Sequence, residues 1–182
     1  SDAEDVVRKV KRLVDELRRH SKELLKEVED LVRDLVRHSE EVVKRVEDLV
    51  RRLEELVRRG DAREEVLRKV EEDVKRLNKE DKDRVEELRR RVKKLSEDNE
   101  KLLEEARERV TRLIEDLRRR SDTEEVRRVL REIREVLKKV AEDSRKVNED
   151  IRRVLEEAKK TSDKVNTDSE EVLRTVARRF ED

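Results

Sequence analysis

A strict 18-residue period in the apolar residues constrains this chain more than any other feature. Between Val6 and Val57 the same apolar position occurs three times, as at Val10, Val28 and Val46. Eighteen residues make five turns at about 3.6 residues per turn, so the apolar stripe stays on one side of a helix without drifting. A seven-residue repeat would instead impose a left-handed supercoil. The period therefore predicts a long, straight amphipathic helix.

The same 18-residue period recurs in two further segments of similar length. The second segment repeats Leu67 at Val85, and the third repeats Val129 at Val147. Charged residues make up 57% of the chain, split evenly between 52 basic and 52 acidic residues. Disordered chains combine low hydrophobicity with a large net charge of one sign, whereas here the apolar third keeps helical register. The pattern indicates three folded helices.

Candidate helix starts stand 60 residues apart along the chain. Three pairs have the spacing of a capping box, in which the two side chains satisfy each other's backbone amides: Ser1 with Glu4, Asp61 with Glu64, and Ser121 with Glu124. Gly60, the only glycine, stands where a helix C-terminus needs a left-handed residue. We therefore predict helices over about 3–58, 62–119 and 123–180. With three helices and no predicted strand, the predicted fold is all-α, and such short loops force neighbouring helices to run antiparallel. It is an antiparallel up-down-up three-helix bundle of nearly straight helices, with 1–182 as a single domain.

Polar residues interrupt the apolar stripes at corresponding levels. If the turns centre near residues 60 and 121, residue i of the first helix lies level with about 121 − i of the second. Residue j of the second helix then lies level with about 243 − j of the third. The first predicted layer comprises His20, Ser21, Ser96, Asn99, Ser144 and Asn148, and the second comprises His38, Ser39, Asn78, Asp81, Ser162, Asn166 and Ser169. Since buried polar groups must find hydrogen-bond partners, we expect a structural polar network at these positions.

These features together resemble those of de novo designed helical bundles, in particular the parametrically generated straight bundles that carry buried hydrogen-bond networks. The resemblance covers all 182 residues and rests on the 18-residue register, the three equal arms and the cap signals every 60 residues. An exterior of arginine and glutamate, and the absence of Gln, Tyr, Met and Pro, also fit. The resemblance implies a structural scaffold or an assembly component, with no catalytic or cofactor-binding residues.

The two histidines carry the only obvious potential for metal binding or catalysis. His20 and His38 are 18 residues apart, about 27 Å along one helix, which is too far to share a metal ion. Ser39, His38 and Asp81 include the residue types of a catalytic triad. However, Ser39 and His38 are adjacent on one helix, so their side chains diverge by about 100°. We therefore predict no catalytic, cofactor-binding or metal site.

The charge pattern also argues against several classes of partner. Basic residues alternate with acidic ones and aromatic stacking residues are nearly absent, so nucleic-acid binding is not expected. No apolar run approaches the roughly 18 residues of a membrane span, and no signal-peptide pattern is present. The expectation is a soluble, cytoplasmic protein with no membrane, nucleic-acid or small-molecule partner.

The apolar edges of the first and third helices leave the oligomeric state open. These edges comprise Val7, Leu25 and Val43 on the first helix, and Val136, Val154 and Val172 on the third. In a closed bundle they seal the seam between the two helices. In an open one they border a groove for a fourth helix, from a partner chain or a second copy, and buried polar residues are commonly placed to choose such partners. The closed monomer is the first expectation and helical pairing is the alternative.

Overall fold

The computed structural model describes residues 2–60, 62–121 and 123–181. It consists of three α-helices: α1 (Asp2–Arg58), α2 (Arg63–Arg120) and α3 (Glu124–Glu181). Each bound lies within one residue of the predicted one, and no strand occurs in the ranges just given. The all-α three-helix fold predicted from the sequence is confirmed.

The chain forms two compact units, and each helix contributes residues to both. Unit 1 comprises Ser1–Val28 and Arg91–Arg153, and unit 2 comprises Glu29–Arg90 and Val154–Asp182. The organisation of 1–182 as a single domain stays a prediction.

Ion pairs between helices define the chain directions in unit 1. Asp2 pairs with Arg120 at 3.8 Å and Glu27 pairs with Arg91 at 3.5 Å, so residue numbers rise along α1 as they fall along α2. Lys11 pairs with Glu132 at 3.7 Å, and Arg18 with Asp143 at 3.5 Å, so α3 runs parallel to α1. Unit 1 therefore has the up-down-up arrangement of a three-helix bundle.

The core of unit 1 takes side chains from all three helices. Val10 of α1, Val110 of α2 and Ile133 of α3 are at most 2% exposed. Burying an aliphatic side chain of this size stabilises the fold by about 1.5 kcal/mol or more. Apolar positions of all three helices are therefore buried in this unit.

Unit 2 has an equivalent core with its own cluster of apolar side chains. Val42 and Leu53 of α1 pack with Val74 of α2 and Val176 of α3. Phe180, the single aromatic residue, packs against this cluster. Arg63 lies with its guanidinium carbon 6.0 Å from the centroid of that ring and donates to the Phe180 carbonyl at 3.2 Å. The start of α2 is thereby joined to the end of α3.

Gly60 ends α1 in the left-handed conformation predicted for it. Its φ is +93°, and its amide donates to the Val57 carbonyl at 3.1 Å. A Cβ placed on Gly60 would meet no described atom within 4 Å. The backbone conformation, and not a lack of space, is therefore the reason that glycine suits this position.

The start of α3 differs from the prediction. The Ser121 amide donates to the Leu117 carbonyl at 3.1 Å, so Ser121 continues the hydrogen bonding of α2 and does not cap α3. Thr123 is the N-cap instead: its hydroxyl accepts from the Val126 amide at 3.3 Å, and its carbonyl accepts the first helical bond. The predicted capping boxes that begin at Ser1 and Asp61 lie outside the described residues.

Candidate buried polar site

A carboxylate in unit 2 lies at the centre of the polar residues predicted to share a layer. The Asp81 cluster consists of His38 and Ser39 on α1, Asp81 on α2 and Ser162 on α3. Asp81 and Ser39 are fully buried, and Ser162 is 2% exposed. Each helix brings its polar residue inward because that residue occupies an apolar position of the repeat. The cluster is therefore enclosed by the core on all three helices.

Asp81 accepts hydrogen bonds from both neighbouring helices. Its Oδ1 accepts from the Ser39 hydroxyl at 2.9 Å and lies 3.1 Å from Nδ1 of His38. Its Oδ2 accepts from the Ser162 hydroxyl of α3. When Asp81 is ionised it can only accept, and Nδ1 of His38 is then the donor of this contact. One buried side chain on α2 thus joins α1 to α3.

This arrangement does not provide the proton path of a catalytic triad. In a triad, the carboxylate orients the histidine, and the histidine takes the serine proton. Here the carboxylate does orient His38, but both serine hydroxyls donate to Asp81. The two serine hydroxyls are hydrogen-bonded to the Asp81 carboxylate, and neither is activated as a nucleophile.

The other predicted members of this layer make fewer contacts. Asn78 and Asn166 are each 4% exposed, and their side-chain amide atoms have no hydrogen-bond partner among the described residues. Ser169 is buried as well, and its hydroxyl donates to the Val165 carbonyl of its own helix at 2.7 Å. Ser169 therefore satisfies itself locally and does not join the Asp81 cluster.

The predicted layer in unit 1 is not connected by hydrogen bonds. Ser21 and Asn99 are buried, whereas Ser96, Ser144 and Asn148 are only half-buried. In the described part of the chain, no hydrogen bond joins these side chains to one another. The buried Oδ1 of Asn99 has no partner there either. His20 lies exposed on the surface, in contrast to the buried position predicted for it.

The two layers occupy equivalent places in the 18-residue repeat. His20 corresponds to His38, Ser21 to Ser39, Ser144 to Ser162, and Asn99 to Asp81. Hence the amide of Asn99 stands where the other layer has a carboxylate. Charge-assisted hydrogen bonds are roughly twice as strong as neutral ones. This difference gives a physical reason why His38 turns inward and His20 does not, and the apolar pattern does not indicate it.

The described residues contain neither a grouped set of metal ligands nor a membrane-spanning stretch. Across 2–60, 62–121 and 123–181, no three His, Asp or Glu side chains are grouped so as to hold a metal ion. Within the same residues, none of the helices has a stretch apolar and long enough to traverse a bilayer.

Comparison with known proteins finds the fold of this chain among solved structures. No protein-family model matches the chain, and no curated protein is similar to it. A solved structure described as a "Computationally designed three helix bundle" is similar, with a TM-score of 0.65 over 98% of this chain and 89% of that chain. Their sequences are 14% identical. At this identity the likeness shows the three-helix fold alone.

Proposed function

We propose that this chain is a de novo designed structural scaffold without enzymatic activity. In this proposal the apolar cores supply the stability, and the buried polar side chains fix which helix faces pair and in what register. The strict repeat and the fold shared with a designed three-helix bundle both support this view. No bound cofactor or metal is part of the proposal.

The Asp81 cluster is the observation that carries the proposal. An α2 helix that slid or rotated against its neighbours would leave a fully buried carboxylate without its three donors. An unpaired buried charge costs several kcal/mol, so alternative pairings are strongly disfavoured. Apolar residues pack with many partners and impose no such penalty. The cluster thus favours one arrangement over its competitors.

An apolar replacement of the whole cluster tests this role. We would combine His38→Leu, Ser39→Ala, Asp81→Leu and Ser162→Ala. Replacing a buried ionic group by apolar residues is often neutral or stabilising by about 1–4 kcal/mol, so the variant should stay folded. We expect it to lose its unique pairing, which would appear as mixed masses in light scattering and broadened amide resonances.

The equivalent positions of unit 1 supply a matched control. His20→Leu, Ser21→Ala, Asn99→Leu and Ser144→Ala make the same changes where no hydrogen bonds join the layer. This control should keep one mass and one set of sharp resonances. If the variant of the Asp81 cluster does the same, the cluster does not fix the pairing and the proposal fails.

A second candidate function is a binding module, one component of a designed homo- or hetero-oligomer. Val172, on the apolar edge of α3, is the one exposed large apolar side chain among the described residues, at 41%. In unit 1 a groove between α1 and α3 has Ser21 and Ser144 in its lining. A helix of a second copy would cover either surface, since the acidic residues of each helix complement basic ones elsewhere in a chain of zero net charge.

Ion pairs across the same seam favour the scaffold over the binding module. Lys11–Glu132 and Arg18–Asp143 join α1 to α3 in unit 1, and Glu54–Arg179 joins them in unit 2. The mass measured by light scattering separates the scaffold from the binding module. The protein concentration is measured by refractive index, because the chain has no Trp or Tyr to absorb. A mass near 22.1 kDa supports the scaffold. Twice that mass supports the second candidate, and Val172→Glu should then restore the lower value.

A further inference from the structure

Unit 1 contains a partly open cavity of about 200 Å³ between its three helices. Its apolar lining includes Leu13 and Leu17 of α1, Ala106 and Val110 of α2, and Leu137 and Val140 of α3. A cavity of about 150 Å³ with aliphatic walls is large enough to stay dry and bind benzene. The cavity in unit 1 is thus large enough for a small apolar ligand.

The sequence repeat explains why the cavity lies at this level. Ala106 occupies the position that Val70 and Leu88 hold in the two preceding repeats of α2. Replacing a core Leu by Ala leaves space that the surroundings fill only in part. The shortened side chain at Ala106 therefore leaves room between α1 and α3.

A groove between α1 and α3 adjoins the cavity. It has a volume of about 520 Å³ and shares Leu17, Leu103, Val140 and Ser144 with the cavity lining. Together the two spaces fall within the range of about 300–1,000 Å³ typical of small-molecule sites, which often lie between the helices of bundles. The hydroxyl of Ser144 lies at the junction, where it can donate to a polar group of a ligand.

The charged side chains that line the two spaces are mostly basic. Arg107 and Arg145 line the cavity, are exposed, and have no ion pair within the described residues. The groove lining adds Arg18, Lys22 and Lys146, against the single carboxylate of Asp143, which pairs with Arg18 at 3.5 Å. A ligand with one negative charge is therefore favoured over a cation of the same shape.

We infer that unit 1 binds a small anionic amphipathic molecule. Its apolar body, aromatic or branched aliphatic, enters the cavity beside Ala106. Its carboxylate or sulfonate remains at the surface near Arg107 and Arg145. This departs from the sequence-based expectation of no small-molecule partner, because composition and period do not report a cavity.

The first experiment titrates the full chain with anilinonaphthalene sulfonate, whose fluorescence rises in apolar surroundings. The chain contains no Trp or Tyr, so the probe is read without background. We expect saturation at one probe per chain. Ala106→Leu should weaken binding at least about tenfold, because the added atoms occupy the cavity. Ala106→Val, a smaller filling, should weaken it less.

Ala177→Leu is the matched control, since Ala177 is half-buried on α3 in unit 2, outside the lining of both spaces. It adds the same atoms and should leave the affinity unchanged, with far-ultraviolet circular dichroism verifying the fold of each variant. Binding without saturation, or equal affinity in the wild type and both Ala106 variants, overturns the inference.

The second experiment tests the preference for an anion on the unaltered chain. Naphthalene sulfonate should displace the fluorescent probe, and a naphthyl trimethylammonium cation should not. Arg107→Gln combined with Arg145→Gln should weaken anion binding about fivefold to tenfold. The affinity of the neutral phenylnaphthylamine should be unaffected by these changes. Equal displacement by the cation and the anion contradicts the proposed ligand class.

Discussion

At the scale of single residues, the comparison of Asp81 with Asn99 is the most informative. Both occupy the same position in the repeat of α2, and the histidine and serine of α1 and the serine of α3 also stand at equivalent positions in the two layers. Around Asp81 the hydrogen bonds form, whereas around Asn99 the histidine lies exposed. Both oxygens of a carboxylate accept hydrogen bonds, whereas the NH2 group of a side-chain amide can only donate. The layer with a carboxylate at this position is connected by hydrogen bonds, and the layer with an amide is not.

Asp81→Asn should therefore disconnect the cluster. We expect the free energy of unfolding to fall by about 2 kcal/mol, because hydrogen bonds to a charged group are lost and one donor is left facing another. Denaturant unfolding followed by circular dichroism measures the change. Asp83→Asn removes the same charge from an exposed position of α2 and should leave the midpoint unchanged. Equal midpoints for the two variants would contradict the role assigned to Asp81.

The reverse change, Asn99→Asp, should connect the layer of unit 1. The new carboxylate would accept from Ser21 and Ser144, and His20 would turn from the surface toward it. With only two histidines in the chain, ring resonances are easily resolved by nuclear magnetic resonance. We expect the Nδ1 proton of His20 to become protected from exchange with water. An unprotected His20 ring in this variant would show that the carboxylate alone does not connect the layer.

The arithmetic of helix levels could predict only part of this site. It places Ser39, Asp81 and Ser162 at one level, and hydrogen bonds join these residues in the structure. It treats His20 and His38 as equals, because both hold one position of the repeat. Their different exposure depends on the partner offered by α2 and on the χ angles of the ring, which periodicity does not report. The hydroxyl of Ser169 likewise bonds to the backbone of its own helix and not to a neighbouring helix.

At the scale of helices, the element types follow from the period, while the ends depend on single residues. Gly60 is recognisable in the sequence because only glycine takes a left-handed φ at little cost. Ser121 and Thr123 are harder to distinguish, because both are good N-cap residues and stand two positions apart. The choice depends on how far α2 extends before the chain reverses. Arg120 and the Ser121 amide belong to the hydrogen bonding of α2, and Thr123 caps α3.

Thr123→Ala should destabilise the start of α3. The Val126 amide would lose its hydroxyl acceptor, at a cost of about 1 kcal/mol in the free energy of unfolding. Ser121→Ala is the control, since Ser121 contributes its backbone amide and that amide remains. The denaturant midpoints of the two variants show which of the two residues caps α3. A larger loss for Ser121→Ala than for Thr123→Ala would restore the cap predicted from the sequence.

At the scale of the whole molecule, stability comes mainly from buried apolar side chains, which are found in both units. Val110 belongs to the cluster of unit 1 and Val74 to that of unit 2, and they are 2% and 1% exposed. The exposed ion pairs between neighbouring turns contribute only about 0.3–0.5 kcal/mol each. The cores therefore dominate, and the question for a chain of 182 residues is whether they unfold together.

Val110→Ala tests the prediction of a single domain. We expect a loss of about 1.5–3 kcal/mol from the missing methyl groups. If 1–182 unfolds as one cooperative unit, a fluorine label on Phe180, in unit 2, should report the same shifted midpoint as circular dichroism. Val74→Ala, in unit 2, serves as the reciprocal control. If Val110→Ala leaves the midpoint reported by the Phe180 label unchanged, the two units unfold independently.

The turn after α1 is also suited to the insertion of other peptides. Gly60 and Ala62 are exposed, and the space around Gly60 is open. Each doubling of a flexible loop costs only about 0.6 kcal/mol. Lengthening this connection fourfold should thus cost about as much as forcing an ordinary residue into the left-handed conformation of Gly60. An epitope or a cleavage sequence grafted between α1 and α2 would be presented to solvent with little loss of stability in the helices that hold it.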